Sequence, residues 1–168
     1  MPALNLIVPR KMQIRYNMVS CYVARPSADG ASHEFLQLRR RPDDFMGGTW
    51  QAIYGQSEEG ESPVTAVLRE LKEEAGLVPA EFYRLDQVSV FYIASTDTLW
   101  HCVPFCAIVK RDQSIILNDE HDDHRWVPAA DVDRMFMWKD NRDAIADILK
   151  FILTDSLAKP FLRISLDY

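Results

Sequence analysis

Short apolar runs separated by turn-forming clusters make up most of the chain, and they predict strands and helices intermixed along its length. Residues 12–24 are rich in β-forming side chains and predict a strand. The stretch 26–32 holds Asp29-Gly30, a turn signal, and residues 35–39 return as a second strand. Pro42-Asp43-Asp44-Phe45-Met46-Gly47-Gly48 reads as a loop, with a short strand after it over 50–54. Ser62-Pro63 opens a helix, because Ser is a favoured N-cap and Pro is preorganised for the first helical position; Gly76 closes it. Strands follow over 84–94 and 99–110, around a Ser95-Thr96-Asp97-Thr98 turn, and a short one over 125–127. Helices are expected at about 129–136 and 140–153; beyond Asp155 the pattern is ambiguous, and Pro160 interrupts any continuous helix. The intermixing predicts an α+β fold, a mixed sheet sandwiched between helices.

Composition narrows the class. A chain of 168 residues suits one domain over 1–168. Hydrophobic residues at 48% and charged residues at 26% are ordinary for a globular protein and exclude disorder and collagen-like repetition. No run approaches the roughly 20 apolar residues of a membrane helix. Residues 1–9 lack a basic start and their apolar run is bracketed by prolines, so no secretory signal is expected and the expectation is a soluble, cytoplasmic protein. Cys21, Cys102 and Cys106 are an odd number without a CxxC pair, which predicts small buried hydrophobes in a reducing compartment. The net charge of −6 argues against bulk binding to a nucleic-acid backbone. Its distribution is uneven. Residues 1–41 carry seven Lys or Arg against Asp29 and Glu34, a balance of +5; residues 55–77 carry six Glu against Arg69 and Lys72, a balance of −4. A basic beginning and an acidic centre suit an anionic substrate that also needs a divalent cation, and separated surface charges are the competing reading.

The acidic centre is a helix with two faces. At about 100° per residue, Glu70, Glu73 and Glu74 fall within about 100° of one another, while Val64, Val67, Leu68, Leu71 and Ala75 form a separate apolar stripe. Ala66 sits under the acidic face and leaves room beside it. A solvated charged face would explain three glutamates, but two local rules are broken here. Glu73 and Glu74 lie in the last turn, where the helix dipole disfavours anions by about 0.3–1 kcal/mol each. Glu70 and Glu74 are like charges at i and i+4. A divalent cation is the physical remedy, and hard Mg²⁺ takes oxygen ligands of this kind.

The spacing of Gly55, Glu61, Arg69-Glu70-Leu71, Glu73-Glu74 and Gly76-Leu77 resembles the Nudix box, GX5EX7REUXEEXGU, at every defined position. The box covers about a seventh of the chain, and the flanking strands and helices are similar to the Nudix α/β/α sandwich around a mixed sheet. The resemblance implies a MutT-like hydrolase in which Glu70, Glu73 and Glu74 hold Mg²⁺, or Mn²⁺ in its place, with the Gly55 carbonyl as a further ligand. It implies that Arg69 orients the carboxylates and that Glu61 tethers the loop to the helix. A second segment, Glu120-His121-Asp122-Asp123-His124-Arg125-Trp126 followed by Trp138-Lys139-Asp140-Asn141-Arg142, is similar to the EHxxxxW and W-x-NR segments of dihydroneopterin triphosphate and dATP pyrophosphohydrolases. That likeness implies Glu120 as a further metal-linked carboxylate; the 90–100 hairpin is shorter than theirs, and one residue is inserted between Trp138 and Asn141.

Together the resemblances imply water attack on a nucleoside or pterin triphosphate to give the monophosphate and pyrophosphate, with Glu120 or Glu73 as the base. Runners-up are a dinucleoside polyphosphate or ADP-sugar hydrolase and a non-catalytic nucleotide-binding module; RNA decapping lacks the basic tract it needs. Arg39, Arg40 and Arg41 end the second strand; by position Arg40 resembles the substrate arginine, and a solvated strand end competes with that reading. Trp50, Phe91, Tyr92 and Trp100 include candidate base-stacking rings, against which core packing is weighed for each. His121 and His124 make a weak zinc pattern without a Cys or a third His, and His33 and His101 carry no specific signal. The expected partner is a small-molecule polyphosphate, with neither membrane nor bulk nucleic acid, and the chain is expected to be a monomer or homodimer.

Overall fold

A computed structural model describes residues 11–166; residues 1–9, on which the reading of no secretory signal rests, lie outside the described residues. Strands β1 (Gln13–Pro26), β2 (His33–Arg40), β3 (Trp50–Gln51), β4 (Ile53–Gln56), β5 (Glu81–Arg84), β6 (Ser89–Ile93), β7 (Thr98–Ile108) and β8 (His121–Pro128) belong to one sheet. β1 and β7 run parallel through its centre, and every other pairing is antiparallel. β2 and β4 share the far side of β1, β2 taking Ala24–Pro26 and β4 taking Met18–Cys21.

Alternation along β1 explains the layering, since successive side chains of a strand point to opposite faces. Val19, Cys21 and Val23 join a buried cluster with Ala66, Val67, Leu71 and Ala75 of helix α1 (Pro63–Ala75). Tyr22 and Ala24 join a second cluster on the other face. There they meet Phe136 after α2 (Val132–Met135), Ala144 and Ile145 of α3 (Lys139–Asp147), and the wider turn Ile148–Ile152 that continues α3. Leu162 of the short helix α4 (Lys159–Leu162) closes that cluster. The mixed sheet thus has helices on both faces, as the pattern predicts. Cys21, Cys102 and Cys106 are buried free thiols, and burial pushes Cys102 up to about 12. No helix among the described residues is long and apolar enough to cross a membrane.

Three elements differ from the expectation. The strand at 50–54 breaks at Ala52, because its halves pair with different partners, β3 with β2 and β4 with β1. The strand at 84–94 is two strands, β5 and β6, laid end to end along β7. The break lies opposite Pro104, which has no N–H to donate; its carbonyl accepts from Leu85, and Asp86–Val88 then bow out before Ser89 meets Cys102. The strand at 125–127 extends back to His121, because the polar run from His121 pairs along β2. As expected, no continuous helix runs through Pro160; it sits in the first turn of the separate short helix α4, where a missing N–H costs nothing.

Candidate active site

The ends of α1 form as the sequence predicts: Ser62 Oγ accepts from Thr65 N at 3.1 Å, Pro63 follows, and Gly76 takes φ 68° with its N–H on the Lys72 carbonyl. Between these ends the three glutamates grade from inside to outside. Glu74 is 4% exposed, and the side chains of Glu70 and Glu73 are 15% and 54% exposed. Glu74 falls beside the apolar stripe, so packing α1 onto the sheet carries it under the surface.

Arg69 organises the outer part. Its Nε and Nη2 form a fork on the Glu61 carboxylate at 3.1 and 3.0 Å, and Nη2 also donates to the Gln56 carbonyl at 3.0 Å. Nη1 bridges Glu70 at 2.8 Å and Glu73 at 3.1 Å. One guanidinium therefore joins the loop, the helix and β4. It holds the Glu61 carboxyl below its ordinary range, chiefly by those hydrogen bonds. Glu70 goes the other way: burial raises it, and the pairing with Arg69 does not fully offset this. Glu70 lies directly over Gly55, where a Cβ would come within 2.1 Å of Glu70 Cγ. Only glycine at 55 admits the carboxylate there.

Glu74 is the exception in this network. Its Oε2 is buried with no hydrogen-bond partner. Burial pushes its carboxyl well up, and the charges of Glu70 and Glu120 add to the shift against Arg40. Arg40, at the end of β2, donates from Nη1 to Glu120 at 3.0 Å and from Nη2 to Asp44, while its Nε is buried without a partner. The Glu120 carbonyl accepts from Arg41 N at 3.0 Å. Sequences 80 residues apart thus meet at the acidic helix. Asp44 was not among the expected residues; its signal was there, four positions after Arg40 in the glycine-rich loop.

The candidate donors are oxygen throughout, and a buried carboxylate oxygen without a partner is what a hard divalent cation would complete. The residues fit such a cation. Among the described residues, however, no three or more His, Cys, Asp or Glu converge into a closed cluster. Arg69 draws Glu70 and Glu73 to itself and Arg40 holds Glu120, which accounts for the spread. His121 is buried with Nδ1 on Asn118 Oδ1 at 3.0 Å, and burial lowers its pKa; neither it nor His124 joins a three-ligand zinc set.

Of the aromatic candidates, Trp50 lies under Arg125 and Arg39, at 4.1 and 5.6 Å from its ring centroid. Phe91 pairs across strands with Trp100, whose Nε1 is buried without a partner, and the exposed Tyr92 donates to Asp97. Arg39 is spent on Asp122 at 2.7 Å. In the second segment, Trp126 packs against the α1-side cluster under Arg25. Asn141 is buried on the opposite face of the sheet, donating to Tyr54 and Tyr22 at 2.6 and 3.1 Å. Arg142 closes the preceding turn on the Phe136 and Met137 carbonyls.

Residues 19–148 match the NUDIX domain family. The chain belongs to the Nudix family. Over 69 residues it is 33% identical to the 8-oxo-dGTP diphosphatase of Escherichia coli strain K12, a stretch that is 41% of this chain and 54% of that protein. Over 101 residues it is 40% identical to an octanoyltransferase of Myxococcus xanthus, 58% of this chain and 27% of that protein. The chain thus spans about half and about a quarter of the length of these two relatives. The fold is similar to a C. elegans Ap4A hydrolase (TM-score 0.67, 18% identity, 81% of this chain and 96% of that one). It is also similar to the NUDIX domain of Shewanella oneidensis NrtR in complex with ADP ribose (0.67, 22%, 84% and 89%). A third likeness is to the E. coli dihydroneopterin triphosphate pyrophosphohydrolase (0.65, 21%, 83% and 99%). At these identities the three structures establish the Nudix fold and nothing finer.

Proposed function

We propose that this chain is a divalent-cation-dependent pyrophosphohydrolase that cleaves a nucleoside or pterin triphosphate to the monophosphate and pyrophosphate. The observation that carries the reading is Glu74, a buried carboxylate with an unpartnered oxygen beside Glu70 and facing the charge of Glu120. A module kept only for its fold would gain stability by losing that charge, because an unpaired buried ion is costly.

Glu70, Glu73, Glu74 and Glu120, with the Gly55 carbonyl, are the groups that would hold Mg²⁺ or Mn²⁺, and the bound ion would supply charge neutralisation and a more acidic water. Arg69 fixes the angles of Glu70 and Glu73 through Nη1, so these carboxylates are preorganised before substrate arrives. Arg40 presents its guanidinium at the same place, and exchanging Asp44 or Glu120 for a phosphate oxygen preserves its fork geometry. In the reaction the water oxygen bonds to phosphorus as the anhydride P–O bond on the opposite side breaks. The departing pyrophosphate takes that electron pair, and a carboxylate oxygen of Glu120 or Glu73 takes the water's proton.

The test is a hydrolysis panel with products separated by chromatography: dATP and the other nucleoside triphosphates, dihydroneopterin triphosphate, diadenosine tetraphosphate and ADP-ribose. The likeness to an 8-oxo-dGTP diphosphatase adds 8-oxo-dGTP. Pyrophosphate released from a triphosphate, lost on chelation and in Glu74→Gln, is the expected result. Cleavage confined to diadenosine tetraphosphate or ADP-ribose would replace the triphosphate reading with the corresponding hydrolase. Nucleotide binding without turnover would make the chain a binding module.

A further inference from the structure

Beyond the catalytic helix the sheet continues as an uncovered wing. β1 pairs with β7 from Gln13, but β4 joins β1 only at Met18, so among the described residues the first five of β1 have a strand on one side only. An open groove of about 580 Å³ runs along Gln13–Asn17. β1 also carries one extra residue between Arg15 and Met18 relative to β7. That bulge reverses the alternation. Val19 faces α1, and before the bulge it is Ile14 and Tyr16 that point to the same side, in line with Leu99 and His101 of β7 and with Val90 and Tyr92 of β6. The Tyr16 and His101 rings lie 5.9 Å apart. Met12, Ile14, Tyr16, Val88, Val90 and Tyr92 are all exposed, Tyr16 at 72%.

We propose that this wing is the interface of a homodimer, the apolar face of one copy packing on the same face of a second across a two-fold axis. Three features favour a second copy as the occupant. Covering six half-exposed large side chains removes about 500 Å² per copy. The total of about 1,000 Å² reaches what a specific interface needs. Residues 11–18 and 88–93 hold Lys11 and Arg15 and no acid, and these two cations outnumber the Asp97 carboxylate held by Tyr92, so two chains of net charge −6 meet here on a face that is not acidic. Two cations are also too few to hold a polyanion. β1, β7 and β6 lie side by side here, so a two-fold axis can set the same patch of both copies against itself.

Sedimentation velocity from 1 to 100 µM tests this on the full chain. The wild type is expected at twice the 19.4 kDa of one chain. Tyr16→Lys and Val90→Lys are each expected to weaken dimerisation at least tenfold, whereas Val78→Lys, on an exposed residue outside the wing, leaves it intact. Far-UV circular dichroism checks that the variants fold; if either Lys variant does not, Tyr16→Ser and Val90→Ser replace it. A wild type that stays monomeric at 100 µM overturns the proposal. So does a dimer whose dissociation constant is unmoved by folded variants on both strands.

Discussion

On the α3 side of the sheet, Asn141 is buried and both its amide hydrogens are used, one on Tyr54 and one on Tyr22. On the α1 side Glu74 is buried to nearly the same degree, is an acid, and has an oxygen with no partner at all. The first is how a fold keeps a polar group inside: satisfy it, and the network fixes the packing. The second runs against stability, and α1 accepts it together with a second carboxylate, Glu73, in its last turn. The two treatments sit in helices on opposite faces of one sheet, and the proposed chemistry uses the unsatisfied one.

Substitutions at the two positions should therefore act oppositely. Glu74→Gln is expected to lower kcat by about 10³-fold, because several kcal/mol of cation-mediated stabilisation go with it. Steady-state kinetics at saturating Mg²⁺ check this. Arg69→Ala releases Glu61, Glu70 and Glu73 together, and misplaced carboxylates should cost about 10²-fold in kcat/KM. Asn141→Ala leaves two tyrosine hydroxyls without their donor; about 2 kcal/mol, or roughly 4–8 °C in Tm by calorimetry, is the expected loss.

The smallest effects are in pH dependence, and their signs differ. Glu74 has a raised carboxyl in the folded state, so its penalty is present above that value and fades as pH falls toward the ordinary carboxylate range. In chelator, Glu74→Gln should then melt above the wild type at pH 8, with the gap closing toward pH 5. Glu61 has a lowered carboxyl, so its contribution is complete above about pH 4.5 and is lost as pH falls through the folded value. The deficit of Arg69→Ala should accordingly shrink below pH 4. Melting curves across pH 3–8 test both slopes.

Much of this was legible in the chain. The bounds of α1 follow from Ser62, Pro63 and Gly76, local signals that act within one turn. The grouping of Glu70, Glu73 and Glu74 follows from helical periodicity alone. What periodicity does not contain is depth. Glu74 lies beside the apolar stripe, and only packing α1 onto β1 and β4 decides that it goes under while Glu73 stays out. The meeting of Arg40 with Glu120 depends on β2–β8 pairing across 80 residues, and the first half of β8 escaped notice because its polar start, His121-Asp122-Asp123-His124, carries no apolar alternation. The break between β5 and β6 is set by Pro104 on the partner strand, so it cannot be seen in residues 84–94 themselves.

The central claim is that the unpartnered oxygen of Glu74 belongs to a cation. Differential scanning calorimetry of the wild type and Glu74→Gln, each with chelator and with millimolar Mn²⁺ and no nucleotide, measures it without relying on turnover. The account predicts that Mn²⁺ raises the wild-type Tm by several degrees and leaves Glu74→Gln unmoved. A wild type that does not respond, or a variant that responds equally, would contradict it.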